Sequence, residues 1–201
     1  MFHDFIRDFR EEYGVESSWA TLVGIDPGSE SLGVSILSFD ANFTIRRLEA
    51  ATFVGSKLPR LEDTEPIHGA RHARIAAHYN NLLALLLQYQ PIAVVCESPF
   101  FQAARPQAYG ALTEVLVMIR SALLAYRPNL ELNLIDPPTV KKSVGAKGNA
   151  DKVAVKNAIA NHPVIDSHYR GVVPIWELDE HSLDSIAVVY GYFQALRGEG
   201  L

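Results

Sequence analysis

Leu22-Val23-Gly24-Ile25-Asp26-Pro27-Gly28-Ser29, followed at once by Leu32-Gly33-Val34-Ser35-Ile36-Leu37, decides how this chain folds. An apolar strand ends on a carboxylate, turns through Pro-Gly, and a second apolar strand departs immediately. That order places Asp26 at the tip of a buried strand, where a lone acid is costly unless an ion or a substrate meets it. Ile92-Ala93-Val94-Val95-Cys96-Glu97 is a second buried run that finishes on one carboxylate. Two such strand ends point to a metal-dependent enzyme.

Strands are expected near 21–26, 32–39 and 44–54, with Asp40-Ala41-Asn42 turning between the last two, so the sheet opens as an antiparallel meander. Ser56 to Glu65 is polar and contains proline, hence a loop. Ala70, Ala73, Ile75, Ala76, Tyr79, Leu82, Leu83 and Leu86 predict a helix from about 67 to 88, closed by Pro91. A strand over 92–97, a helix over 107–126, a strand over 130–135, a helix over 151–160 and a last helix over 182–196 follow; residues 164–178 give no clear pattern. The expected fold is α/β: a five-stranded mixed sheet, three antiparallel strands and then parallel ones, with helices on both faces. Phe2, Phe5, Ile6, Phe9 and Tyr13 recur at helical spacing and mark residues 1–19 as an amphipathic helical extension of a single domain over 20–197.

With 201 residues, 48% of them hydrophobic, the chain can bury one full core. The net charge of −5 speaks mildly against nucleic acid as a partner, unless bases gather on one face. Cys96 is the only cysteine, which excludes an intramolecular disulfide, and its apolar surroundings suggest a buried, inert thiol. The charged N-terminal residues lack the apolar core of a signal peptide, and apolar runs fall short of a membrane span, so a cytoplasmic protein is expected.

Near the C-terminus, Asp179-Glu180-His181-Ser182-Leu183-Asp184 opens a helix, with His181 and Asp184 three residues apart on one side. Acids there also serve the helix dipole, and Asp179 and Glu180 are read as caps, with an indirect contact to metal open to one of them. The company of Asp26 and Glu97 turns the motif into a ligand set. Hard divalent ions want several oxygens. Asp26, Glu97 and Asp184 carry enough charge for two Mg²⁺ (or Mn²⁺) ions, roughly 3.5–4 Å apart, clamping a phosphodiester. His181 would be a fourth ligand or a proton carrier. Without metal such carboxylates repel and raise one another's pKa, which predicts metal dependence and weaker metal affinity at low pH. His68 and His72 have ligand spacing but no acid beside them and are read as surface residues; Asp136, before Pro137-Pro138, is read as turn chemistry.

Four blocks in order resemble the RuvC-type Holliday junction resolvases of the ribonuclease H-like superfamily. They are Gly24–Ser29 with Gly33; Glu97-Ser98-Pro99-Phe100; Val140-Lys141 leading into Gly145-Ala146-Lys147-Gly148-Asn149-Ala150-Asp151-Lys152; and Asp184-Ser185-Ile186-Ala187. The resemblance spans about residues 20–195. It implies Asp26, Glu97 and Asp184 as metal ligands, with His181 at a position that is Asp in many members and His in some. It implies Lys141 and Lys152 as cations beside the scissile phosphate, and Phe100, with Phe101 beside it, as the aromatic that engages bases at the junction centre. Lys142, Lys147 and Arg105 are further candidates for the DNA backbone, since Gly145 and Gly148 would let the main chain approach a phosphate and Asp151 starts a helix.

The implied activity is a structure-selective endonuclease acting on four-way DNA junctions and leaving 5′-phosphate and 3′-hydroxyl ends. A two-fold substrate suits a homodimer, with the 67–88 helix and Leu112, Val115, Leu116 and Ile119 as the candidate interface. The alternative within the fold is a broader branched-DNA or flap nuclease, such as a phage would use. Actin-like ATPases share the Asp-x-Gly turn but need a second glycine-rich loop and an adenosine site; neither is legible, and no nucleotide cofactor is expected. A non-catalytic junction-binding protein would have no need of the three acids.

Overall fold

Asp26 pairs with Gly33 across an antiparallel ladder, while Ile25 faces Cys96 across a parallel one. Those two registers bring the carboxylate-tipped ends of adjacent strands side by side. The computed structural model describes residues 19–59, 64–99 and 106–198. The extension before Trp19, and Phe100, Phe101 and Arg105, lie outside the described residues.

The sheet has the order β3-β2-β1-β4-β5, built from β1 (Ala20–Asp26), β2 (Ser31–Phe39), β3 (Ile45–Val54), β4 (Ala93–Glu97) and β5 (Leu132–Ile135). β1, β2 and β3 pair antiparallel; β4 and β5 run parallel to β1. The expected mixed sheet is present, and so are helices on both faces. Continuous burial along β1, β2 and β4 is what a strand covered on both sides requires.

One face carries α1 (Thr64–His68), α2 (Ala70–Tyr89) and α3 (Pro106–Tyr126). Leu82, Leu86, Val115 and Ile119 pack there on Val23, Ile25, Val34 and Val94. The other face carries α4 (Pro137–Ser143), α5 (Lys152–Ala160), α6 (Pro163–His168), a 3-10 turn (Ile175–Glu177) and α7 (Glu180–Leu196). α7 lies directly on β1 and β2. A Cβ on Gly24 would stand 2.6 Å from the Ser185 carbonyl oxygen, and one on Gly33 would stand 2.1 Å from that of His181. Glycine at both positions is what lets the helix start settle onto the strands beside Asp26.

Several expectations need correction. Asp136 is an N-cap rather than a simple turn residue: its carboxylate accepts from the Thr139 N–H at 3.1 Å and opens α4, with Pro137 in the first turn, where its missing N–H costs nothing. Gly145 ends that helix. At φ 81° it forms a Schellman cap, its N–H donating to the Lys142 carbonyl while the Ala146 N–H donates to that of Lys141. Its conformation serves the helix end, and the space beside it is open. The stretch without clear pattern holds α6, capped by His162, and a bridge from Tyr169 to Leu48.

The face of α3 assigned to a partner is turned inward. Val115 and Ile119 are fully buried and Leu116 nearly so, while Val117 and Leu124 face outward. The span Gln107–Tyr126 is long and apolar enough to cross a membrane by length and composition, which the sequence reading did not register. A third of that span, 33%, is buried inside the protein, with Val115, Met118, Ile119, Ala122 and Leu123 in the core beside the sheet.

Candidate active site

Parallel pairing of β1 with β4 puts Asp26 and Glu97 at neighbouring strand ends, and α7 crosses above them. Its first turn is fixed by Asp179, whose carboxylate accepts from the Ser182 N–H at 3.1 Å and from the Thr52 hydroxyl at 2.6 Å. The cap anchored to β3 sets which way the next side chains project. His181 Nδ1 donates to Asp26 Oδ2 at 2.7 Å.

Asp26, Glu97, His181 and Asp184 line one cleft of about 500 Å³, with Lys141, Lys152, Pro27, Ser98, Gly148 and Glu180 among its other walls. All six residues proposed for catalysis from the sequence therefore share one cavity. Lys141 Nζ donates to the Ala150 carbonyl at 2.8 Å, which holds it over the cleft. Lys152 is ion-paired with Glu180, which also lines the cleft. Lys142 and Lys147 are not among the cleft walls; Lys142 stretches along Gly148 instead. The His68 and His72 rings lie 5.2 Å apart at an interplanar angle of 53°.

The electrostatics are those of anions crowded out of water. Burial, then the charges of Asp26 and Asp184, push Glu97 up to about 8. Burial and Asp26 push Asp184 up to about 7. Asp26 is also held above the ordinary carboxylate range by burial, despite the hydrogen bond and charge of His181, and the same bond raises His181. Among the described residues, neither the Glu97 nor the Asp184 side chain has a hydrogen bond or ion pair. Cys96, one residue below Glu97, is fully buried, with its thiol pushed up by burial, which makes it inert.

Three half-buried carboxylates and an imidazole are a donor set for a hard divalent cation that keeps some of its waters. Among the described residues no three such side chains close into a ready-made cage. The donor types in the cleft are those such an ion takes, and Asp26, Glu97, Asp184 and His181 are the residues that would hold it.

Crossover junction endodeoxyribonuclease RuvC of Rickettsia akari is 27% identical over 141 residues, covering 69% of this chain and 79% of that protein. RuvC of Carboxydothermus hydrogenoformans is 29% identical over 140 residues, covering 69% and 78%. The chain is a distant homologue of the RuvC-type Holliday junction resolvases. Among solved structures, Thermus thermophilus RuvC in complex with Holliday junction substrate superposes with a TM-score of 0.62 at 18% identity, covering 89% of this chain and 97% of that one. The yeast mitochondrial Holliday junction resolvase Ydc2 superposes with a TM-score of 0.58 at 12% identity, covering 95% and 84%. These similarities show the ribonuclease H-like fold of RuvC. No protein-family model matches the chain.

Proposed function

We propose that this RuvC homologue is a divalent-metal-dependent endonuclease that resolves four-way DNA junctions. The observation that carries the reading is the meeting of Asp26, Glu97 and Asp184, from β1, β4 and α7, in one cleft with two lysines on its rim. Three half-buried acids facing one another lower the stability of the metal-free fold, and a bound dication reverses the sign of that interaction.

Bound Mg²⁺ or Mn²⁺ supplies a water of lowered pKa and an electrophile for the phosphoryl oxygens. The chain's own residues do the rest. Asp26, Glu97 and Asp184 would hold those ions at the end of the sheet, where the cleft admits a phosphodiester. Asp26 orients the His181 ring through Nδ1, which leaves Nε2 to take or give a proton at the attacking or leaving oxygen. Lys141 and Lys152 face the charge that grows on the transferring group. The products would be a 5′-phosphate and a 3′-hydroxyl.

A homodimer would match the two-fold symmetry of the junction, and on α3 the residues free to form it are Val117 and Leu124 rather than the buried Val115 and Ile119. The test is cleavage of a labelled four-way junction by wild type and Asp26→Asn, each with and without Mg²⁺. Metal-dependent, symmetric incision by wild type alone is expected. Equal activity in both proteins would end the assignment, and equal cutting of flaps and Y-forks would replace it with the broader branched-DNA nuclease.

A further inference from the structure

A second hollow of about 270 Å³ adjoins the cleft, walled by Lys152, Val153, Lys156, Glu180, Leu183 and Asp184. Lys152, Glu180 and Asp184 belong to both cavities, so the two lie side by side between α5 and the start of α7. Lys156 follows Lys152 by four residues on α5 and therefore stands one turn away on the same face.

The two lysines differ in how they are held. Lys152 is ion-paired with Glu180. Lys156 reaches only the Leu178 carbonyl, at 3.5 Å, which is the outer limit of a hydrogen bond. An ammonium has three donors, and this contact occupies one of them. Like charges one turn apart repel on a helix, and Glu180 answers only the first. Lys142 and Lys147 are absent from the walls of both cavities. The basic track leading out of the cleft thus continues along α5, not along the glycine-containing loop before it.

We infer that Lys156 binds the backbone phosphate adjoining the scissile one, so that the hollow between α5 and α7 carries the substrate strand away from the cleft. The inference rests on the nuclease reading and adds a phosphate subsite to it. Lys156 lines the hollow but not the cleft, one turn of α5 beyond Lys152, which lines both, and so stands where the strand would leave the scissile phosphate.

Binding of a fluorescein-labelled four-way junction, followed by anisotropy in Ca²⁺ across a salt series, tests it. Lys156→Ala should weaken binding several-fold at about 50 mM salt and flatten the log–log salt dependence by about 0.9, the loss of one phosphate contact. Lys156→Arg should restore the slope. Arg46→Ala, whose side chain pairs with Asp40 on the turn between β2 and β3, controls for the loss of one positive charge and should leave the slope as it is. An unchanged slope in Lys156→Ala, or an equal change in Arg46→Ala, overturns the subsite while leaving the nuclease reading intact. A wild type whose affinity for the junction does not depend on salt removes that reading, and the subsite with it.

Discussion

His181 Nδ1 sits 2.7 Å from Asp26 Oδ2 and ties the first turn of α7 to the tip of β1. The bond fixes the ring and its tautomer, leaving a single nitrogen for chemistry. Replacing His181 by Ala removes a proton carrier or a ligand and should lower single-turnover junction cleavage by about 10²–10⁴. His181→Asp, which returns an oxygen donor to that position, should recover metal-dependent activity over the Ala variant. If the Ala variant cuts at the wild-type rate, His181 has no role in the reaction.

Metal-free stability should fall as pH rises. The folded state keeps protons on Glu97 and Asp184 to about 8 and about 7, whereas the unfolded chain gives them up near 4.5 and 3.8. The folded state thus binds more protons across that interval, and stability drops with pH wherever it does. His78 and His162, held below 6.5 by burial, act in the opposite sense at lower pH. The clean window is therefore about 6.5 to 8. In EDTA the Tm should decline across it, and Mg²⁺ should raise the Tm more at pH 8 than at pH 6.5, since fewer protons compete for the ligands. A Tm independent of both pH and metal would contradict the crowding of the three acids.

Glu97→Gln separates stability from function. The amide keeps the shape and discards a charge that is buried without a partner. Unfolding by urea in EDTA at pH 8 should show the variant more stable than wild type by about 1–3 kcal/mol. Its cleavage should fall by at least about 100-fold, and the stabilising effect of Mg²⁺ should shrink. A destabilised variant would mean that Glu97 is satisfied in the folded protein.

Gly33 leaves room for the backbone of His181. Gly33→Ala would press a methyl group into the His181 carbonyl and force α7 off β2. A loss of about 1–3 kcal/mol is expected from overpacking, accompanied by reduced cleavage because His181 and Asp184 move with the helix. Gly110→Ala on α3, where no atom lies within 4 Å of the added methyl, should be neutral or slightly stabilising in the same urea titration.

How far the sequence revealed the molecule follows from the kind of signal each part carries. Asp26 and Glu97 were legible because an acid ending an apolar run has few structural uses, and strand order then placed them together. Asp184 was legible only in their company, since an acid in a first helical turn also serves the dipole. The short α4 was missed because Asp136-Pro137-Pro138 has the same composition whether it turns or caps, and only the Thr139 N–H distinguishes the two. The inward face of α3 could not be told from an interface, because periodicity shows that a stripe is buried and not by what. Lys156 carried no local signal at all: a lysine on a helix acquires meaning only from the cavity beside it.

α7 contributes Ser182, Leu183, Ile186, Val189 and Phe193 to the interior and Glu180, His181 and Asp184 to the cleft. One helix is therefore both the lid of the hydrophobic core and a wall of the cleft. Mutations that loosen its inner face far from the cleft, at Val189 or Phe193, should be felt by His181 and Asp184 as lost alignment, so damage to packing and damage to chemistry are inherited together.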